Sequence, residues 1–326
     1  MVGTDDGAGM NFAFLTDPLS ELKPAKDSSV AMMREAARRG HEVWALARPT
    51  LAWRDGVVSA QAQRIDPAAQ PATGAAKWFC VLDKEMRPLT TFDAVLMRQD
   101  PPFDTEYLVA TWLLERAQAA GARVHNDPRA IRDHSEKVAL TEFAEFAPPT
   151  LIARDAATLA GFIDELGEVI LKPLDGMGGR GVFHVRHDDP NRNAIVETLT
   201  DYGRRSIMAQ RYLPAIREGD KRILLIAGEP VPFALARVPQ AGEARGNLAA
   251  GGTGIARPLT ARDREIAVAL GPTLWARGLF IVGLDVIGDY LTEINVTSPT
   301  CFVEITEQTG FDVAAQVIDA LERQCA

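Results

Sequence analysis

Only three cysteines occur in the 326 residues, Cys80, Cys301 and Cys325. They are odd in number, far apart and form no C-x-x-C pair, which argues against a disulfide framework and against a zinc site. No uninterrupted run of about 18 apolar residues is present, so no membrane span is expected. Positive charge is also short: 35 Lys and Arg stand against 44 Asp and Glu, a formal net charge of -9. A surface of that sign repels phosphate backbones and anionic lipid, which disfavours nucleic acid and membranes as partners. An anionic substrate must then be held by local Lys, Arg or metal. The five histidines show no ligand spacing such as H-x-x-x-H. No G-x-x-x-x-G-K-[ST] occurs, so the chain is not a P-loop protein. Residues 1–9 are acidic and Gly-rich and lack the basic start and apolar run of a signal peptide. They are read as an N-terminal extension, with Met10 as an alternative start and a reducing cytoplasm as the expected compartment.

What is present is ordinary globular material, 47% hydrophobic and 24% charged, long enough for two or three packed units. Strand patterns at 11–15, 41–47, 94–97 and 123–125 alternate with helical ones at 27–39 and 105–120. Edge strands are expected at 57–65 and 77–82. This alternation predicts a mostly parallel α/β sheet over residues 10–130. Gly40 and Gly121 are the expected helix stops. In the middle part, 131–213, a helix is expected at 136–146. Strands at 150–153, 169–174, 181–185 and 207–213 then alternate with helices at 155–166 and 191–202, as in a small α+β unit. The last part, 214–326, begins with strands at 222–227 and 231–238 and a Gly-rich loop at 239–254. A helix at 260–277, a hairpin at 281–296 and a final helix at 311–323 follow.

Two segments carry chemistry. In Val169-Ile-Leu-Lys-Pro-Leu-Asp-Gly-Met-Gly-Gly-Arg-Gly-Val-Phe-His-Val185, four glycines fall at 176, 178, 179 and 181. They satisfy G-x-G-x-x-G, yet a strand follows them where a dinucleotide fold needs a helix. Strand, glycine loop and strand make a flap whose backbone N–H groups can approach phosphate oxygens. Lys172, just before the flap in an apolar strand, is either a snorkelling edge lysine or a point charge for nucleotide phosphates; the adjacent flap favours the second reading.

The other segment is Val282-Gly-Leu-Asp-Val-Ile-Gly-Asp-Tyr-Leu-Thr-Glu-Ile-Asn-Val296. Gly288-Asp289 marks its turn, and Glu293 and Asn295 share one strand face. If the loop takes three residues, 288–290, Asp285 falls opposite Glu293. No basic residue lies within the hairpin to neutralise these carboxylates, so a cation between them is expected. Oxygen-only ligands suit Mg²⁺ bridging to substrate phosphates.

A Lys-Pro strand before a Gly flap, followed about 110 residues later by an Asp…Glu-x-Asn hairpin, resembles the ATP-grasp superfamily. Further segments are similar to the bacterial glutathione synthetases: Met97-Arg98, Asp100-Pro-Pro-Phe-Asp104, Met208-Ala-Gln210, Tyr212-Leu-Pro-Ala-Ile216, Gly219-Asp-Lys-Arg222 and Arg245-Gly-Asn-Leu-Ala-Ala-Gly-Gly252. The likeness runs from Met10 nearly to the end. It implies an ATP-grasp fold, two α+β lobes clasping ATP, preceded by an N-terminal mostly parallel α/β domain. It also implies an ATP-dependent ligase joining γ-glutamylcysteine to glycine through an acylphosphate. Lys137 and Lys172 would contact ATP phosphates beneath Gly178 and Gly179. Gln210, Tyr212 and Leu213 would meet adenine, and Asp220 the ribose. Asp285, Glu293 and Asn295 would carry Mg²⁺, or Mn²⁺ in its place. Arg222, with Lys172, would stabilise reacting oxygens. Arg98, Arg237 and Asn247 would lie close to the peptide substrate, and residues 239–254 would form a mobile lid. A homo-oligomer, a tetramer, is implied by resemblance. Arg211, Thr253 and Arg180 depart from the family pattern. Another carboxylate–amine ligase of this fold, or a nucleotide-binding protein without turnover, remains an alternative.

Overall fold

The computed structural model describes residues 9–68, 78–240, 246 and 251–326. They form two compact units, one comprising the chain up to Arg132 with 277–280 and 300–326, the other 133–276 with 281–299.

The first unit opens with β1 (Asn11–Thr16), α1 (Ser28–Arg38), β2 (Glu42–Ala47), β3 (Ala52–Arg54), β4 (Val57–Asp66), β5 (Cys80–Pro88) and β6 (Ala94–Met97). Next come α2 (Thr105–Ala119), β7 (Val124–His125) and α3 (Pro128–Asp133). The strand order is β3-β4-β2-β1-β6-β7, with β5 on β4. β2, β1, β6 and β7 are parallel, as expected of strand–helix alternation. β1 and β6 are buried on both faces, which is why their sequences run apolar without a break. Both long helices begin where a side chain supplies the missing acceptor. Asp27 takes the amides of Ser29 and Val30 at 2.8 and 2.9 Å, and Asp104 takes that of Tyr107 at 2.8 Å. Strand 57–65, expected at an edge, is interior: β4 pairs β2 and β3 on one side and β5 on the other. Alternate burial of Val58, Ala60 and Ala62 is compatible with either position, so the pattern did not discriminate. The strand expected at 77–82 is β5, shifted towards 88, and residue 77 lies outside the described residues.

The second unit holds two antiparallel sheets. The first is built from β8 (Thr150–Ala153), α4 (Ala156–Leu166), β9 (Glu168–Pro173), β10 (Phe183–Arg186), α5 (Arg192–Leu199) and β11 (Ile207–Arg211), in the order β10-β9-β11-β8. Val169, Leu171, Val185, Ile207 and Ala209 pack against Leu159 and Ile163 of α4 and Val196 of α5. By the two-residue period, Ile170, Lys172, His184, Met208 and Gln210 face the other way.

The second sheet contains β12 (Asp220–Ile226), β13 (Glu229–Val238), β14 (Thr253–Pro258), β15 (Ile281–Ile287) and β16 (Tyr290–Asn295), in the order β14-β13-β12-β15-β16. Helix α6 (Ala261–Ala276) covers one face against β12 and β13, aided by a Lys221–Asp263 ion pair. The helix expected at 136–146 is a 3-10 turn over Val138–Phe143. The reason is competition: the carbonyl of Glu136 accepts the Ile294 amide at 2.9 Å and that of Phe146 accepts the Leu291 amide at 2.8 Å, so the segment covers the edge of β16. After β16 come α7 (Phe302–Thr309) and α8 (Val313–Cys325), which belong to the first unit and lie against α1. α7 was not foreseen; its N-cap, Cys301, has φ +90° and carries no capping side chain.

Candidate active site

The face of the second sheet turned away from α6 is charged. Arg222 lies opposite Asp285 across β12–β15, and Asp285 lies opposite Glu293 across β15–β16. Three strands thus place a cation and two carboxylates in one row. The hairpin reaches this register differently from the expectation. Its turn has two residues, since Ile287 pairs with Tyr290, and a bulge at Thr292 restores the Asp285–Glu293 pairing. Gly283 pairs with Asn295, so Asn295 joins the same face. A Cβ on Gly283 would come within 2.9 Å of Arg222 Cδ and 3.0 Å of its Nε, which is why glycine stands there.

The carboxylates do have basic partners, all from outside the hairpin. Arg222 grips Asp285 with Nε to Oδ1 at 2.6 Å and Nη2 to Oδ2 at 3.1 Å. Arg237 on β13 adds Nη2 contacts of 2.9 Å to Asp285 and 2.6 Å to Asp220. Lys137 donates from Nζ to Glu293 Oε1 at 2.8 Å and to the Gly176 carbonyl of the flap at 2.7 Å. Lys172 donates to the bulge carbonyl of Thr292 at 3.2 Å. Lys137, Lys172, Arg222, Arg237 and Asp285 are all buried.

Burial and charge pull against each other here. For Asp285, burial raises the pKa, but Arg222 and Arg237 outweigh it and hold the carboxyl well below its usual range. Asp220 goes the other way: burial and the Asp285 charge outweigh Arg237 and push it up. Burial lowers Lys172, with Glu293 opposing. In Lys137 burial is overcome by Glu293, so its pKa rises.

On the first sheet, the glycines close the flap. Gly178, Gly179 and Gly181 have φ of +61°, +80° and +67°, and a Cβ at Gly176 would meet Pro173 Cγ at 2.7 Å. On the face of that sheet turned away from α4 and α5, Gln210 is buried and donates to Thr150 Oγ1 at 3.1 Å. Tyr212 stacks on His184, centroids 4.0 Å apart, and Leu213 precedes a 3-10 turn. Arg98 belongs to the first unit, where its Nε donates to Ser29 Oγ at 3.2 Å. Asn247 and most of the expected lid at 239–254 lie outside the described residues.

The donor set suits a hard divalent cation. It offers two carboxylates and the Asn295 side-chain oxygen, whose amide nitrogen is spent on the Gly283 carbonyl at 3.3 Å. Among the described residues no group of three or more His, Cys, Asp or Glu could hold a metal unaided. Substrate phosphates would have to complete the shell. Asp220 Oδ1 is buried without a partner, an acceptor in want of a donor such as a hydroxyl. Sequence reasoning missed two contributors. Glu136 binds the chain just beyond Asn295, and Thr292 supplies the bulge; both depend on contacts that no local pattern announces.

Two family models match: the N-terminal domain of prokaryotic glutathione synthetase over residues 10–132, and its ATP-grasp domain over residues 136–310. The chain is 60% identical over 314 residues to the glutathione synthetase of Ralstonia nicotianae (strain ATCC BAA-1114 / GMI1000), covering 96% of each. It is 58% identical over 317 residues to that of Nitrosomonas europaea (strain ATCC 19718 / CIP 103999 / KCTC 2705 / NBRC 14298), covering 97% of this chain and 99% of that one. Among solved structures, the D-cycloserine synthetase DcsG is similar at a TM-score of 0.65 and 15% identity, over 97% of this chain and 100% of the other. The ATP-grasp ligase PsnB complexed with precursor peptide PsnA2 and AMPPNP is similar at 0.62 and 18%, over 97% and 98%. These two likenesses concern the fold.

Proposed function

The chain belongs to the prokaryotic glutathione synthetase family of ATP-grasp ligases, and from that premise we propose how it joins γ-glutamylcysteine to glycine at the expense of ATP. A carboxylate oxygen of the dipeptide attacks the γ-phosphorus, the β–γ bridge breaks and ADP leaves. The glycine amine then attacks the acyl carbon and loses a proton, and the bond to phosphate breaks. Glutathione, ADP and phosphate result.

Both steps build negative charge on phosphoryl and tetrahedral oxygens. Arg222 and Lys172 offset it, and because they are buried their charges act at low dielectric. Lys137 and Lys172 hold phosphates, with the N–H groups of Gly178 and Gly179 above them. Gln210, Tyr212 and Leu213 border adenine, and the lone Oδ1 of Asp220 takes a ribose hydroxyl. By resemblance we assign the peptide substrate to Arg98, Arg237 and Asn247. ATP and a divalent metal are implied by the family; we take the metal to be Mg²⁺, replaceable by Mn²⁺, held by Asp285, Glu293 and Asn295. When bound, it neutralises phosphate charge as a Lewis acid. No helix among the described residues is long and apolar enough to cross a membrane. A cytoplasmic homo-tetramer is the form we expect, checked by light scattering.

The observation that supports this reading most is the Arg222–Asp285–Glu293 row, tied to the flap through Lys137. The test is phosphate release from ATP with γ-glutamylcysteine and glycine omitted in turn. Release that needs both supports the reading, and release sustained by another acid or amine alone sinks it.

A further inference from the structure

Glu136 is a partly buried residue for which the proposed chemistry has no use. Its Oε1 accepts three hydrogen bonds: from the amide of Val296 at 3.0 Å, the amide of Thr297 at 3.1 Å and the hydroxyl of Thr297 at 2.8 Å. Its own carbonyl accepts the Ile294 amide at 2.9 Å. The last cross-strand partner on β16 is Asn295, opposite Gly283. Beyond that point the amides of Val296 and Thr297 have no strand to donate to, and one carboxylate oxygen takes the strand's place. Residues 294–297 are therefore fastened from both sides of Asn295. Next in sequence, Lys137 fixes Glu293 Oε1. The pair 136–137 thus restrains the stretch that carries Glu293 and Asn295 through five hydrogen bonds.

We infer that Glu136 is a positioning residue that sets divalent-cation affinity by fixing Glu293 and Asn295 from behind. The inference rests on the metal reading proposed above. A hard cation tolerates little displacement of its ligands, and partners behind the ligands commonly change affinity by about 10–100-fold when lost. Glu136 needs no contact with the metal to do this. What it supplies is an acceptor oxygen, so the amide of glutamine at this position retains the function.

The test is Mn²⁺ binding, followed by electron paramagnetic resonance at fixed non-hydrolysable ATP analogue, on the full chain and well below each variant's thermal midpoint. Glu136→Ala is expected to weaken Mn²⁺ by at least about 10-fold, whereas Glu136→Gln stays within about 3-fold of the parent. Thr297→Val removes only the hydroxyl bond and is expected to weaken Mn²⁺ by about 3-fold; it decides the matter if the alanine variant does not fold. Unchanged affinity in Thr297→Val and Glu136→Ala, with only a lower thermal midpoint, overturns the inference and leaves the metal reading standing. If the parent chain itself shows no Mn²⁺ binding beyond that of the free nucleotide, the metal reading fails and the inference falls with it.

Discussion

Lys137 reaches Glu293 across 156 residues of chain, Nζ to Oε1 at 2.8 Å, and the same ammonium holds the flap carbonyl of Gly176 at 2.7 Å. A single cation therefore ties a proposed metal ligand to the proposed phosphate cover. Binding of metal and nucleotide would give both groups new partners.

Glu293→Ala tests the metal assignment. Turnover is expected to fall on the order of 10³-fold even at saturating Mg²⁺, because charge stabilisation in a buried site is lost. Circular dichroism should show the fold intact, since Glu293 lies at the edge of its sheet and makes one ion pair. Near-normal turnover at high Mg²⁺ contradicts the assignment.

Arg222→Lys keeps the charge but cannot reproduce the two-pronged grip on Asp285. The expected results are a fall of about 10²–10³-fold in kcat and a loss of about 1–3 kcal/mol in stability. Steady-state kinetics and urea unfolding read the two effects separately. An unchanged kcat argues that Arg222 serves only to neutralise Asp285.

Gly283→Ala places a methyl where Arg222 Cδ would be 2.9 Å away and Pro299 Cβ 3.0 Å away. Arg222 must shift, so this variant should lower kcat as well as stability, the latter by about 1–3 kcal/mol. The same substitution at Gly161, in the helical backbone of α4 where a Cβ meets nothing within 4 Å, leaves kcat alone and serves as the control.

Acid should weaken the first unit through His125. Burial, assisted by the Arg123 charge, lowers its pKa from 6.5 to about 4, and its buried Nε2 has no partner. Between those values the unfolded chain binds the proton and the folded one does not. Stability is thus full above about pH 6.5 and declines as pH falls towards 4, by up to about 3 kcal/mol. Urea midpoints between pH 7 and 4.5 should fall in the parent and fall less in His125→Phe. Parallel declines would contradict this origin.

Much of the fold was legible because hydrophobic period and glycine stops agree. β1, α1, β2, β6 and α2 fall where apolar runs, Gly40 and Gly121 put them. The hairpin was legible through Gly288-Asp289 and the Glu-x-Asn pattern. So was the Asp285–Glu293 pairing; the turn itself was not, because a two-residue turn with a bulge at Thr292 gives the same pairing as the three-residue loop expected. The 3-10 turn at 138–143 escaped because the carbonyls that flank it, those of Glu136 and Phe146, answer to an edge strand about 150 residues away. The Arg222–Asp285 grip needs the order of strands in a sheet, which no local pattern encodes. Resemblance named Arg222 and Asp285 but was silent on their mutual contact, and on Glu136 altogether.

The phosphoryl-transfer route can be followed atom by atom with γ-glutamylcysteine carrying ¹⁸O in the carboxylate that accepts glycine. Transfer through an acylphosphate leaves one labelled oxygen in each phosphate released, read by mass spectrometry, and the other in the new amide. Phosphate free of label would mean that the carboxylate oxygen never bonds to phosphorus, and the proposed roles of Arg222 and Lys172 would fall with that result.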